Sequence, residues 1–527
     1  MKHFIDKLRH IYIPVLIASV LFVVLYTLLH WYLVIDLKLF SPKEDLVQFW
    51  LPMGLPWIII LVWISPRIKQ LQLATKRGGS WASMYYGVVW FAMAIPTIVA
   101  QFYLQTATGK LTVLDNINTI NKSPATRYYK VKDLYIDRSY ACVYGSTEVS
   151  GRYNEDLDLY LHIALPIFAS ADDTAGTECA AWLGKKYHET ISNDQSDAEK
   201  DKKWEEFATR SEKELNEADL TEFAYLENEG NTNDHDKYNK AIARTPRYTS
   251  ASNMVLRAET EPFEARNGEK LGWVFRSYAI CMLLLLVMLI RPKMSDTAVK
   301  DDSDMSAKEF FSLFVLAKGY AATPIIMDLN IIVFLCMVVK GLGFVSFHAD
   351  DLLYWGANYG PATMGGQWWR LLSSAFLHSG IMHLVANMYG LLFAGMFLEP
   401  IIGSRRFTII YLVTGILASV TSMWWHVAVV SVGASGAIFG IYGALLILLV
   451  KGIFPTAASK GLLISAGIFV GYNLLMGMAG NTDNAAHIGG LISGILAGLL
   501  FYPTLKAEKE RMEHEKQRDL IDDTGDI

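Results

Sequence analysis

The sequence predicts an all-α polytopic membrane protein: a six-helix core, four transmembrane helices before it, and one α+β domain outside the cytoplasm. Three observations predict this class. The 527 residues are 52% hydrophobic, which is typical of membrane proteins. Apolar runs of spanning length recur along the chain, and basic residues collect at alternate ends of them. One large polar segment separates the third run from the fourth.

Ten apolar runs have the length of a membrane-spanning helix. A hydrocarbon core about 30 Å thick needs roughly 20 helical residues. The first run is too long for the core of a signal peptide, so we expect it to remain as an anchor. In chain order the predicted spans are Ile11–Ile35, Leu46–Ile64, Trp81–Leu104, Leu271–Ile290, Thr323–Phe344, Ile381–Leu398, Phe407–Trp425, Ser435–Val450, Leu462–Met478 and Ala485–Tyr502.

Basic residues in the short loops predict the orientation of these spans. Lys and Arg are enriched in cytoplasmic loops, and six basic clusters fall on one side if the amino terminus is cytoplasmic. We therefore expect a multi-pass protein, placed in a bacterial inner membrane. The clusters are Lys2, Lys7 and Arg9; Arg67, Lys69, Lys76 and Arg77; Arg291 and Lys293; Arg405 and Arg406; Lys451 and Lys460; and Lys506, Lys509 and Arg511.

The polar segment, residues 109–270, is predicted to be an α+β domain. Alternating apolar and polar residues in Tyr128–Lys132 and Leu157–His162 are typical of strands. The charged stretch Asp201–Tyr225 predicts a helix, whereas Glu227–Lys240, rich in Asn, Asp and Gly, predicts a loop. The segment carries 21 basic and 30 acidic side chains, which argues against nucleic acid or an anionic membrane surface as its partner.

Two cysteines, Cys142 and Cys179, belong to this segment. They could form a disulfide in an oxidising compartment or remain two buried thiols, and the sequence leaves both open. The oligomeric state is likewise not readable from the sequence. The predicted regions are 1–108 with three transmembrane helices, 109–270 as the outer domain, 271–322 with the fourth transmembrane helix and a cytoplasmic linker, 323–503 as the six-helix core, and 504–527 as a charged cytoplasmic tail.

A serine inside the core is the first candidate for chemistry. Ser435 opens the eighth span, which has only 16 residues, or about 24 Å at 1.5 Å per residue. Its first residues can therefore lie below the membrane surface. Gly433 and Gly436 leave the hydroxyl accessible, and the N–H groups of the helix start point to where an oxyanion would form. A polar group at this depth needs a functional reason.

Glycines predict that the eighth and tenth spans pack closely. Small residues four apart let two helix backbones approach in lipid. Such an approach would bring His487, at the start of the tenth span, to Ser435, as a direct hydrogen bond between base and nucleophile requires. The glycines are Gly436 and Gly440 in the eighth span and Gly490, Gly494 and Gly498 in the tenth.

A third pair of polar residues lies in the sixth span. His383 and Asn387 are four residues apart, so they share one face of a helix. Both side chains can donate hydrogen bonds, and the helix starts from the outer side. The pair is therefore suited to stabilising a developing negative charge.

Together these motifs resemble those of the rhomboid intramembrane serine proteases. The resemblance covers about Thr323–Tyr502, and the first four helices and the outer domain lie beyond it. Five motifs occur in order on the expected helix or loop, which makes the resemblance specific. They are Trp369-Arg370, His383-x-x-x-Asn387, Glu399-x-x-x-Gly403, Gly433-x-Ser435-Gly436 and Ala486-His487-x-x-Gly490-x-x-x-Gly494.

The resemblance implies a six-helix rhomboid core and a catalytic dyad without an aspartate. It assigns the nucleophile to Ser435 and the base to His487, with Phe439 beneath the histidine ring. It places His383 and Asn387 in the oxyanion hole. The implied activity is cleavage of transmembrane segments of membrane-protein substrates within the bilayer, at a site that opens to the extracytoplasmic side, with no metal or cofactor.

Simpler interpretations of these residues compete with the catalytic one. Ser435 could bond back to a helix carbonyl, and His487 could be a polar packing residue. His383 and Asn387 could be an interhelical hydrogen-bond pair contributing only about 0.6 kcal/mol. Trp369-Arg370 is expected to anchor its loop at the membrane interface rather than take part in catalysis.

Other functions are also open to a chain of this kind. A catalytically inactive rhomboid relative would bind membrane clients without cleaving them. A zinc protease is disfavoured because no His-Glu-x-x-His is present. A transporter is expected to contain an internal repeat, and none is found. We expect the outer domain to recruit or gate substrates.

Overall fold

The computed structural model describes residues 2–73, 81–122, 124–150, 156–244, 247–250, 253–294, 319–427, 429–454, 456–479 and 483–524. Contacts divide the chain into two compact units, Met1–Lys300 and Asp301–Ile527. Most of the predicted cytoplasmic linker, residues 295–318, lies outside the described residues, as do Lys76 and Arg77 of the second basic cluster.

The first unit contains four long apolar helices and two helices of the outer domain among its described residues. Four of them coincide with the first four predicted spans and pack through one apolar cluster, to which Ile11, Ile60, Val89 and Leu285 each contribute a fully buried or nearly buried side chain. The helices are α1 (Phe4–Asp36), α2 (Leu46–Ile68), α3 (Ala82–Thr108), α4 (Asp197–Glu217), α5 (Asn233–Arg244) and α6 (Lys270–Met288).

Eight strands of the first unit form one mixed sheet, as an α+β domain requires. They are β1 (Leu111–Asn116), β2 (Tyr128–Asp133), β3 (Tyr135–Ile136), β4 (Cys142–Ser150), β5 (Asp156–Phe168), β6 (Ala181–Ser192), β7 (Tyr225–Asn228) and β8 (Val255–Glu259). Their order is β1-β2-β7-β8-β6-β5-β3, and β4 also pairs with β5. The two predicted strand segments are confirmed as parts of β2 and β5.

The predicted helix Asp201–Tyr225 is right in kind but wrong in its bounds. Helix α4 starts earlier because Ser196 and Glu199 form a reciprocal capping box at its amino terminus. It ends at Glu217, and Tyr225 is the first residue of β7. The cap lies upstream of the run of charge, which is why the run alone misplaces the start.

The predicted loop Glu227–Lys240 is wrong. Its first residues end β7, and most of its remainder belongs to α5. Asp234 and Asp236 occupy the first turn of this helix, where acidic side chains interact favourably with the helix dipole. Tyr238 and Ile242, four residues apart, are buried on one face. The polar residues are typical of a loop, but in this protein they begin a helix. The apolar face of that helix packs on the sheet.

Cys142 and Cys179 lie in one buried apolar cluster of the outer domain and carry thiols rather than a disulfide. Burial raises the pKa of the Cys179 thiol to about 12. Of the two alternatives left open by the sequence, the structure therefore contains the pair of buried thiols.

The second unit contains nine α-helices within its described residues. Six coincide with the last six predicted spans, although the first of these ends at Val339 rather than Phe344 because Gly341 and Gly343 adopt positive φ. The helices are α7 (Ala322–Val339), α8 (Ala349–Trp355), α9 (Gly360–Met364), α10 (Arg370–Ser373), α11 (Ile381–Ile402), α12 (Ser404–Trp425), α13 (Ser435–Val450), α14 (Thr456–Ala479) and α15 (Asn484–Thr524).

Apolar helices of spanning length make this a polytopic helical membrane protein. Eight helices within the described residues are long and apolar enough to cross a bilayer, and two shorter apolar segments, Ser435–Val450 and Ser459–Leu475, accompany them. The ten segments match the predicted runs in position. The number of spans that cross the membrane and their orientation stay predictions.

Candidate active site

Ser435 and His487 are in direct contact in the second unit. Ser435 is the first residue of α13, and its Oγ lies 2.9 Å from Nε2 of His487, which is near the start of α15. The distance is that of a hydrogen bond. Both side chains line a cavity of about 930 Å³. The structure thus brings together the two residues that the sequence singled out from separate helices.

An aromatic ring supports the imidazole. The rings of Phe439 and His487 are stacked, with centroids 4.2 Å apart and planes inclined by 4°. Phe439 lies one helical turn after Ser435, so the same helix supplies the hydroxyl and the platform for its partner. Within the described part of the chain, Nδ1 of His487 has no hydrogen-bond partner. Stacking, rather than a carboxylate, therefore orients the ring.

Glycines bring the two helices close enough for this contact. A Cβ added to Gly490 would overlap the carbonyl oxygen of Gly436, and one added to Gly494 would overlap that of Gly440. A Cβ at Gly443 would meet the backbone of α15 in the same way. The predicted glycine interface is therefore a backbone-to-backbone contact, as small-xxx-small packing allows.

Asp483 is a residue that sequence reasoning missed. It precedes α15 and accepts a hydrogen bond from the backbone N–H of Ala486 at 3.0 Å, as an N-cap does. Its other carboxylate oxygen accepts bonds from Ser422 at the end of α12 and from Ser431, the latter at 2.6 Å. The carboxylate closest in sequence to His487 thus fixes the start of its helix. An Asp directly before Asn484-Ala485-Ala486, where the helix begins, was a readable N-cap signal.

His383 also lines the cavity, with a ring whose tautomer its neighbours specify. Its Nδ1 lies 3.0 Å from Oγ of Ser379 and 3.4 Å from the backbone N–H of the same residue. Because that N–H can only donate, Nδ1 is an acceptor and the proton of the neutral ring is on Nε2. The ring can then donate a hydrogen bond from Nε2. The importance of Ser379 was not evident from the sequence.

Gly433 separates His383 from the serine. Its φ is +130°, a conformation that favours glycine. A Cβ at this position would lie 2.8 Å from Nε2 of His383 and 3.6 Å from Oγ of Ser435. The histidine nitrogen and the serine oxygen therefore face the same small space, which the missing side chain leaves open.

Asn387 lines the cavity one turn after His383. Its amide nitrogen donates to the carbonyl oxygen of His383 at 2.9 Å, so one of its two amide hydrogens remains for another acceptor. The structure thus places both predicted donors in the lining of the cavity that also contains Ser435. The observed bond between His383 and Asn387 lies within one helix, and it uses only one of the two amide hydrogens.

The two remaining motifs lie away from the cavity. Arg370 is buried and donates to the carbonyl oxygens of Leu353 and Ala357 at 2.7 and 2.9 Å, which ties the segment before α11 together. Glu399 is fully buried and accepts hydrogen bonds from the backbone N–H groups of Ala322 and Thr323 at the start of α7. Both are structural, as expected for Trp369-Arg370.

Comparison with known proteins identifies the family. A family model for the Rhomboid domain matches residues 365–504. RHOMBOID-like protein 7 of Arabidopsis thaliana is 34% identical over 217 residues, which are 36% of this chain and 69% of that protein. Rhomboid protease AarA of Providencia stuartii is 30% identical over 220 residues, 37% of this chain and 76% of that protein.

A third relative is similar to this chain over only about a third of each protein. Rhomboid protease GluP of Bacillus subtilis (strain 168) is 36% identical over 177 residues, 33% of this chain, and the chain spans only 34% of its length. Since the relatives come from both plants and bacteria, the bacterial inner membrane stays a prediction. The matched residues include α11 to α14, the first half of α15 and every residue of the candidate site. The chain is a multi-pass membrane protein, and it belongs to the rhomboid family.

Proposed function

We propose that the chain is an intramembrane serine endopeptidase in which Ser435 is the nucleophile and His487 the general base. The observation that carries this proposal is the 2.9 Å contact between Oγ of Ser435 and Nε2 of His487 at the wall of a cavity. Two of the relatives carry the name rhomboid protease. The simpler interpretation of Ser435, a bond back to a helix carbonyl, has no support in the described contacts of this residue.

The reaction follows from the placement of these groups. Nε2 of His487 accepts the proton of Ser435 as Oγ attacks the carbonyl carbon of the scissile peptide bond. The tetrahedral intermediate collapses when the peptide C–N bond breaks and the leaving amine takes the proton from His487. Water, deprotonated by the same imidazole, then hydrolyses the acyl-enzyme and frees Ser435.

The oxyanion of the intermediate needs donors that are already in place. Nε2–H of His383 and the remaining amide hydrogen of Asn387 are the candidates, together with the free N–H groups of the first turn of α13. Donors fixed before the reaction do not reorganise as charge develops, and the loss of one typically slows turnover by about 10²- to 10³-fold. The rigid environments of His383 and Gly433 favour this role.

The substrate is proposed to be a transmembrane segment with a locally extended backbone. A helical peptide bond is shielded by its own hydrogen bonds, so segments with small or helix-destabilising residues should be preferred. The 16-residue length of α13 places the serine below the membrane surface if α13 ends near the opposite one. We further propose, from the basic clusters, that the site opens to the extracytoplasmic side.

Activity-based labelling tests the proposal directly. The full chain in detergent micelles would be treated with a fluorophosphonate probe, and the labelled residue identified by mass spectrometry. We expect label on Ser435 in the wild type and none in Ser435→Ala or His487→Ala. Ser493→Ala is the matched control, because the hydroxyl of Ser493 bonds back to the carbonyl of Gly490 at 2.9 Å.

The result also separates the two rhomboid-like functions. A folded wild-type chain that takes no label would contradict the protease proposal and favour a protein that binds membrane clients without cleaving them. Label that persists in Ser435→Ala would contradict the assignment of the nucleophile.

A further inference from the structure

The first unit contains a cavity of about 750 Å³ that is separate from the candidate active site. It lies where α1 and α3 end and α2 begins, beside the first strands of the sheet. Its volume is within the range of small-molecule sites in proteins. The lining residues on which its chemistry depends are His30, Lys38, Glu44, Gln48, Lys110 and Arg127.

A buried polar network fixes the histidine of this cavity. The amide nitrogen of Gln101 donates to Thr27 and to the carbonyl of Thr97, so the amide oxygen faces Nδ1 of His30 at 2.6 Å. Nδ1 is therefore the donor, and Nε2 is the atom left for a ligand. Polar groups inside membrane helices are costly and usually have a function. This network keeps His30 in one orientation at the end of the membrane-spanning part of α1.

Glu44 is the only carboxylate among the described residues that line the cavity, and it is already paired. Glu44 accepts hydrogen bonds from Gln105 and Gln48, and its other oxygen lies 2.6 Å from Nη1 of Arg127. Nε of Arg127 also bonds Glu227, at 2.9 Å. Glu44 therefore has little remaining capacity to pair with another cation, and Nη2 of Arg127 is left over.

Two lysines add positive charge at the rim. Lys38 and Lys110 both line the cavity and are exposed, and neither forms an ion pair with a described residue. Lys38 has φ +49°, which is uncommon for a residue other than glycine and marks a position set by its surroundings. The outer domain is acidic overall, with 30 acidic and 21 basic residues between Gly109 and Lys270, so this basic rim is a local exception.

The helix side of the same cavity is apolar. Val34, Ile35 and Val47 line it, and the neighbouring Leu39 exposes 62% of its side chain. Cations above and apolar side chains below match a molecule with an anionic head and a hydrocarbon tail. The position at the ends of three membrane helices is where such a molecule has its own headgroup.

We propose that this cavity is a binding site for an anionic phospholipid. Lys38 and Lys110, with Nη2 of Arg127, would pair with the phosphate, and Nε2 of His30 would accept a hydrogen bond from a hydroxyl group of the headgroup. The acyl chain would extend along Val34, Ile35 and Val47. A free phosphate ester shares the headgroup chemistry but would not use the apolar wall.

Native mass spectrometry of the full chain in detergent tests this site. The chain would be titrated separately with phosphatidylglycerol, phosphatidylcholine and glycerol 3-phosphate. We expect phosphatidylglycerol to bind most tightly. The variant Lys38→Gln/Lys110→Gln should weaken its binding by about 30-fold, since each lysine near a lipid phosphate contributes about 1 kcal/mol. Lys185→Gln, an exposed lysine of β6 outside the cavity, is the matched control and should bind like the wild type.

Each other outcome would overturn the proposal. Equal binding of phosphatidylglycerol by the double variant and the wild type would mean that the lipid binds elsewhere. Glycerol 3-phosphate binding as tightly as the lipid would make the site one for a soluble phosphate. Because both lysines are exposed, the variants should fold, and an unchanged thermal unfolding profile would verify that the comparison is valid.

Discussion

The two units hold polar groups between their apolar helices by different means. In the second unit, glycines of α13 and α15 bring two backbones into contact, and the Ser435–His487 pair sits at the end of that contact. In the first unit, Gln48 of α2 and Gln105 of α3 form a network that continues through Glu44 and Arg127 into the sheet. The first arrangement depends on the absence of side chains and the second on their presence.

This difference determines which kind of substitution each unit tolerates. A backbone contact has no freedom to adjust, because the atoms that would collide are carbonyl oxygens of a packed helix. A network of amides and charges can rearrange or admit water when one member is lost. We therefore expect small additions of volume to damage the second unit most, and losses of charge to damage the first.

The largest effect should follow from adding one methyl group at Gly494. Gly494→Ala would drive its Cβ into the carbonyl oxygen of Gly440, and overpacking of this kind costs about 3 kcal/mol. The chain should unfold at lower temperature and lose probe labelling at Ser435. Gly467→Ala, in the neighbouring α14 with no atom within 4 Å of the added Cβ, is the control. Equal behaviour of the two variants in thermal unfolding would contradict the backbone-contact account.

A loss of charge should matter next, in the first unit. Arg127→Gln removes the partner of Glu44 and one partner of Glu227, which should cost about 2 kcal/mol. Hydrogen exchange should become faster at the start of α2. The control Arg210→Gln removes an exposed pair with Glu189, worth less than about 1 kcal/mol. Equal rates of hydrogen exchange at the start of α2 in the two variants would contradict the role given to this network.

A smaller effect is expected from the hydrogen bond behind His383. Ser379→Ala leaves Nδ1 with the weaker backbone contact alone. Loss of this hydrogen bond, which orients the ring of His383, should cost about 1 kcal/mol of transition-state stabilisation. It should therefore lower kcat about fivefold and leave KM unchanged, since the donor acts on the transition state. Ser379→Thr, which keeps the hydroxyl, should restore kcat in a liposome cleavage assay. A change in KM alone would show that Ser379 affects substrate binding instead.

The smallest effect concerns Asp234 of the outer domain, which pairs with His162 and Lys186. Burial would raise its pKa, but hydrogen bonds from these two residues hold the pKa well below its usual value. Because the pKa is lower in the folded state, the carboxylate stabilises the domain at pH values above its unfolded-state pKa of about 3.9. This contribution to stability is lost as the pH falls below that pKa and towards the folded-state pKa.

Urea unfolding of the wild type and Asp234→Asn at several pH values measures this contribution. The difference in stability should be about 1 kcal/mol at pH 7 and should shrink below about pH 4. Asp172→Asn, an exposed Asp of the same domain, should show little difference at either pH. If the free energies of unfolding of the wild type and Asp234→Asn differed by the same amount from pH 7 to pH 3, the ion-pair interpretation would be contradicted.

Much of the second unit could be predicted because its constraints are local in the sequence. The spacing of Gly490 and Gly494 indicates a helix interface, and His383 and Asn387 share a face at any helix position. Asp483 and Ser379 could not be assigned in the same way. Their partners, Ser431 and His383 respectively, depend on how loops meet helices, and a Ser or Asp in a loop has many possible partners.

The outer domain was less predictable because tertiary contacts override its local pattern. The polar residues around Asp234 are typical of a loop. In the structure, however, Tyr238 and Ile242 are buried on one face of the segment, which forms a helix. The sheet order, with β7 and β8 between β2 and β6, joins strands far apart in the chain. No periodicity in a single segment specifies that order.

The most direct test of the central claim is a double-mutant cycle on the dyad. Cleavage of a model transmembrane substrate in liposomes would be compared among the wild type, Ser435→Ala, His487→Ala and the double variant. If the two residues act as one unit, each single change should remove activity by at least about 10⁴-fold, and the double change should remove no more. Substantial cleavage by Ser435→Ala, or losses that multiply in the double variant, would contradict the account.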